Sequence, residues 1–66
     1  MQVTVNSDAR EAPEGATLLA LVEQLGFNPK RLVAELNGEI VARDAYADTV
    51  LNDGDQVELV RIVGGG

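Results

Sequence analysis

The chain has 66 residues, with eleven acidic side chains against five basic ones for a net charge of −6, and neither cysteine nor histidine. That sign argues against gripping a phosphate backbone, and so against nucleic acid as a partner. The composition also removes disulfides, thiol nucleophiles, imidazole bases and the usual nitrogen and sulfur zinc ligands, leaving a domain small enough that its stability should be modest.

Met1, Val3 and Val5 alternate with Gln2, Thr4 and Asn6, which predicts a strand with one buried face. Asn6-Ser7-Asp8 supplies turn chemistry, Ala9 to Ala12 returns as a short second strand, and Pro13 and Gly15 end it. Thr17 is placed to cap a helix whose Leu18, Leu21, Val22 and Leu25 form one apolar stripe, with Gly26 and Pro29 marking its end. Ala20 stands where a full capping box would have Glu or Gln. Leu32 to Leu36 and Ile40-Val41 flank Asn37-Gly38, the dipeptide suited to the positive φ angles of a tight hairpin, and Leu36 and Ile40 are candidates for the core. Ala45 to Asp48 reads as a single turn that lays Tyr46 against the core. Asn52-Asp53-Gly54-Asp55 is a second turn, and Gln56 to Val63 is the last strand.

One helix on one face of a mixed sheet, with the first and last strands central and parallel, satisfies this order while covering the most apolar strands. The expected fold is therefore α+β, a single β-grasp (ubiquitin-like) domain of about five strands over residues 1–63, followed by a flexible glycine tail over 64–66. No positively charged segment followed by an apolar run opens the chain, and no apolar run reaches membrane-spanning length, so a cytoplasmic location without membrane contact is the expectation.

No catalytic or metal-binding constellation emerges. Thr4, Ser7, Thr17 and Thr49 have no histidine to activate them, and Lys30 between Pro29 and Arg31 reads as a loop charge. Asp53 and Asp55 flank a turn glycine, and a calcium loop needs a longer run of oxygen ligands. Glu14-Gly15-Ala16-Thr17 lacks the lysine and second glycine of a phosphate loop, so no cofactor is expected to be bound by this chain.

The ending Gly64-Gly65-Gly66 carries more information. Glycine threads channels too narrow for a Cβ, and three extended residues reach roughly 10 Å beyond a fold. Ordering them costs on the order of 1 to 2 kcal/mol per residue, so such a tail suits an arm that becomes fixed only in a partner. Its one usable group is the Gly66 carboxylate, which is ionised at neutral pH, is a poor electrophile, and needs activation before it accepts a nucleophile. On the last strand Val57, Leu59, Arg61 and Val63 share one face and Glu58, Val60 and Ile62 the other. Only one face lies under the helix, so Val60 and Ile62, next to the tail, are either covered by neighbouring side chains or candidates for partner docking.

The strand Met1-Gln2-Val3, the helix start Thr17-Leu18, the run Leu36-Asn37-Gly38-Glu39-Ile40-Val41 followed by Arg43, the segment Asp53-Gly54-Asp55-Gln56-Val57 and the closing Val63-Gly64-Gly65-Gly66 resemble, in order and spacing, the ThiS family of sulfur carriers in thiamine biosynthesis. The resemblance covers the whole chain and departs at Ala42, where family members often have proline. It implies a carrier rather than an enzyme. An E1-like enzyme (ThiF) would use ATP to adenylate the carboxylate of Gly66, a sulfur donor protein would convert it to a thiocarboxylate, and thiazole synthase (ThiG) would take the sulfur. Gly65 would be the required neighbour, with Gly64 lengthening the thread. Absence of cysteine agrees, because sulfur then has no side-chain thiol to ride on. Three other readings stay open: the small subunit of molybdopterin synthase, commonly a longer chain; a ubiquitin-like modifier joined to lysines; and an interaction module with an incidental tail.

Overall fold

The computed structural model describes residues 1–63; Gly64, Gly65 and Gly66, the expected tail, lie outside the described residues. Its elements are β1 (Gln2–Val5), β2 (Asp8–Glu11), α1 (Leu18–Gln24), a 3-10 turn (Pro29–Arg31), β3 (Leu32–Leu36), β4 (Glu39–Val41), a second 3-10 segment (Arg43–Asp48) and β5 (Gln56–Arg61). The strands form one sheet in the order β2-β1-β5-β3-β4, with β1 and β5 parallel and all other pairs antiparallel. This is the expected β-grasp arrangement.

Local chemistry explains each boundary. At the β1–β2 turn, Asn6 and Ser7 take positive φ (49° and 75°), a region asparagine tolerates because its short side chain bonds locally. The Asn6 amide does more than turn the chain. Its Oδ1 accepts from the Leu59 N–H at 2.8 Å and its Nδ2 donates to the Leu59 carbonyl at 3.2 Å, extending the β1–β5 pairing beyond the end of β1. Asn37 behaves similarly at the β3–β4 hairpin, where it sits at φ 52° and its Oδ1 accepts from the Gln56 N–H at 2.9 Å. Asp53 and Asp55 are consumed by structure. Asp53 accepts from the Gln2 N–H, while Asp55 accepts from the Asn52 N–H and the Asn37 amide.

The Thr17 hydroxyl accepts from the Ala20 N–H at 3.1 Å, so the expected cap forms without the reciprocal half of a capping box. Helix α1 has seven residues, no acidic residue in its first turn and no basic residue in its last. An isolated helix of that length is unstable in water, so packing must hold it. Leu18, Leu21 and Val22 are buried against a core of Val3, Val5, Ala12, Leu32, Ala34, Tyr46, Leu51, Val57 and Leu59. Each fully buried large aliphatic side chain contributes about 1.5 to 3 kcal/mol. Tyr46 is buried as expected, held by the second 3-10 segment with its hydroxyl towards the Leu32 carbonyl.

Two expectations need correction. Leu36 is half-buried against the core, but Ile40 is 72% exposed and not a core residue. The β3–β4 register sets Ile40 opposite Glu35, which alternates with buried Ala34 and so lies on the other side of the sheet. The last strand also ends sooner, at Arg61: the Ile62 N–H still donates to the Arg31 carbonyl at 3.0 Å in register with the β3–β5 ladder, but Arg31 belongs to the 3-10 turn and β3 offers no further partner.

Candidate functional site

The side of the sheet away from α1 is uncovered. Val33 and Val60 face each other across β3 and β5 at 37% and 59% exposure, with Ile62 (45%) further towards the tail and Ile40 on the neighbouring strand. The expected docking residues Val60 and Ile62 are thus both solvent-accessible and share a face with Val33 and Ile40, which the sequence reading did not associate with them. Alternation in β3 was the available signal: Val33 and Glu35 are exposed or half-buried while Leu32 and Ala34 are buried. Beyond Val33 and Val60, Glu35 and Glu58 stand directly opposite one another. Like charges in that position are mildly destabilising, and both remain at the surface.

The end of β5 is held on the opposite side. After α1, Gly26 takes φ 83°, its N–H bonds the Glu23 carbonyl and the Phe27 N–H bonds the Val22 carbonyl, a Schellman ending that fixes Phe27 immediately past the helix. The Arg61 guanidinium lies 4.7 Å from the centre of the Phe27 ring, a cation–π contact worth about 0.5 to 1 kcal/mol at an exposed site. With the Ile62–Arg31 bond, this contact gives the strand two fixed points just before the glycines. Val63 stands in solvent, and Gly64, Gly65 and Gly66 fall outside the described residues.

Among the described residues no pocket opens, and no group of histidine, cysteine or acidic side chains is placed to hold a metal ion. No described helix is long and apolar enough to cross a membrane. Thr17 is occupied as a cap and the Thr49 hydroxyl donates to the Ala45 carbonyl at 2.7 Å.

A five-stranded mixed sheet under one helix, with an apolar face left bare on the other side, defines a ubiquitin-like β-grasp domain. The ThiS family model matches residues 3–66. The chain is 33% identical to the sulfur carrier protein ThiS of Escherichia coli over 66 residues, covering 100% of both proteins. It is also 38% identical over its whole length to part of a thiazole synthase of Magnetococcus marinus, of which it covers 20%. The chain spans about a fifth of the length of the thiazole synthases it matches. The crystal structure of the thiamine biosynthesis protein ThiS of Geobacter metallireducens superposes with a TM-score of 0.85 at 33% identity, covering 100% of both chains. The chain belongs to the ThiS family.

Proposed function

We propose that this protein is the sulfur carrier for thiazole formation in thiamine biosynthesis, carrying sulfur as a thiocarboxylate on Gly66. The observation that carries the reading is the family match, which runs through the glycine ending, together with its full-length counterpart in the Escherichia coli carrier. The chain contains no cysteine, so a persulfide or side-chain thiol is not available to hold the cargo.

The chemistry begins with an ionised carboxylate, which resists nucleophiles. A carboxylate oxygen of Gly66 attacks the α-phosphorus of ATP on an E1-like partner (ThiF), releasing pyrophosphate and leaving an acyl adenylate. Sulfide equivalents from a donor protein then add to the acyl carbon and expel AMP, so one carboxylate oxygen leaves with the phosphate and a C–S⁻ end remains. That end is a better nucleophile than the carboxylate it replaced. Thiazole synthase (ThiG) is the proposed recipient, and the match between this chain and a portion of thiazole synthases supports the pairing. Val60 and Ile62 supply the docking surface, joined by Val33 and Ile40 on the same face. Gly64 and Gly65 thread the partner's channel, where a Cβ would widen the chain.

The test is intact-protein mass spectrometry after incubation with the activating enzyme, ATP and a sulfur donor. One oxygen exchanged for one sulfur, located on Gly66 by fragmentation, is the expected product. An isopeptide to lysine with no sulfur at the terminus would move the assignment to a protein modifier.

A further inference from the structure

The five basic side chains are unevenly placed. Lys30 and Arg31 form the turn that leads into β3, while Arg61 ends β5 directly opposite Leu32, and the Ile62 N–H donates to the Arg31 carbonyl. Three of the five cations therefore gather at the corner of the sheet from which the chain runs on to its glycines. Asn28 holds that turn through a 2.9 Å bond from the Lys30 N–H to its Oδ1, and Phe27 holds Arg61 from beneath. All three cationic residues are exposed, and none makes an ion pair among the described residues, where the only pairs involve the Met1 amino group. Arg10 and Arg43 lie elsewhere, on β2 and at the start of the second 3-10 segment.

This placement runs against the charge of the whole molecule. Along the β3–β5 ladder the nearest carboxylates are Glu35 and Glu58, three rungs from the Leu32–Arg61 pair. At a rise of about 3.3 Å per residue that is roughly 10 Å, comparable to the Debye length near 0.1 M salt, so the carboxylates of this ladder do not cancel the cations. A chain with net charge −6 thus presents a positive corner at its working end.

We propose that Lys30, Arg31 and Arg61 form a basic collar that docks on side-chain carboxylates at the mouth of the partner site receiving the glycines, and so turns the chain tail-first during encounter. This rests on the carrier reading above. The occupant is an acidic protein surface, since the rest of the carrier would be repelled by it and only the tail end drawn in. Long-range charge acts mainly on association, so the collar should govern how readily the complex forms and leave the chemical step untouched.

The experiment is ATP–pyrophosphate exchange with the chain's activating enzyme, using wild type, K30E/R31E and the milder K30Q/R31Q over a range of salt. At low salt K30E/R31E should raise the KM for the carrier by about tenfold, with kcat and the KM for ATP within about twofold of wild type. Wild-type KM should climb as salt increases, and K30E/R31E should lose most of that slope. Should K30E/R31E melt early, K30Q/R31Q, whose side chains lose charge without reversing it, must show the same loss of slope. A wild-type KM indifferent to salt, or a change confined to kcat, overturns the collar while leaving the carrier reading intact. A rise in the KM for ATP instead would place the collar against nucleotide phosphates, contrary to the proposal. Absence of any exchange with wild type brings down the carrier reading itself, and the collar with it.

Discussion

The two faces of the sheet use the same strands and differ only in parity. On the helix side Val3, Val5, Ala34, Val57 and Leu59 are buried and, together with α1, make up most of the apolar core. On the other side Val33 and Val60, one residue along from buried neighbours, stand open to solvent beside Ile40 and Ile62. The covered face is sufficient to hold a domain with no disulfide and no described metal cluster. The open face can therefore serve contacts to other molecules, because side chains there can change without removing the support for the fold.

The largest expected effect tests that division directly. Leu18→Ala removes a fully buried side chain and should cost about 2 to 5 kcal/mol in urea unfolding, whereas Val60→Ser should stay within about 0.5 kcal/mol. Equal losses from the two would show that the open face also supports the fold. Next, Asn6→Ala deletes both side-chain bonds to the Leu59 backbone and leaves alanine at positive φ, so destabilisation of about 1 to 3 kcal/mol is expected from thermal melting. A smaller but more functional effect belongs to Ile62→Asp. Binding to the activating enzyme should weaken by more than about 1 kcal/mol in calorimetry while the melting temperature holds, and unchanged binding would remove Ile62 from the docking surface.

The smallest effect lies at the boundary between the faces. Ala42 leaves β4 at φ −65° and ψ 144°, angles proline adopts without strain, and its N–H is not a donor in the described backbone bonds. Ala42→Pro should raise stability by about 0.4 to 1 kcal/mol through the unfolded chain, and a loss on denaturation would show strain at that junction. The departure from the family's common proline therefore carries no penalty in the local geometry.

Much of this was legible from residue patterns. The strand and helix order, the Thr17 cap, the buried Tyr46 and the parity that sets Val60 and Ile62 apart from Val57 and Leu59 all follow from periodicity and turn chemistry, which act over a few neighbouring residues. What escaped depends on pairing between distant segments. Ile40 looked apolar enough for the core, yet its face is set by the β3–β4 register. The Asn6 clamp on Leu59 joins residues 53 apart, and the end of β5 is set by where β3 gives way to the turn that holds Arg31. Lys30 read as an ordinary loop charge because nothing in a linear pattern brings its turn to the end of β5.

The central claim is that sulfur travels on Gly66, and following isotopic sulfur from donor to product tests it most directly. Donor protein labelled with heavy sulfur is mixed with this chain, its activating enzyme, ATP and thiazole synthase, and intact mass and thiazole product are measured over time. The account predicts that the label appears first on the terminal residue of this chain and then passes into the thiazole, with both steps lost when Gly65 and Gly66 are removed. Thiazole that gains the label while this chain never carries it, or that forms equally well with the truncated chain, would contradict the account.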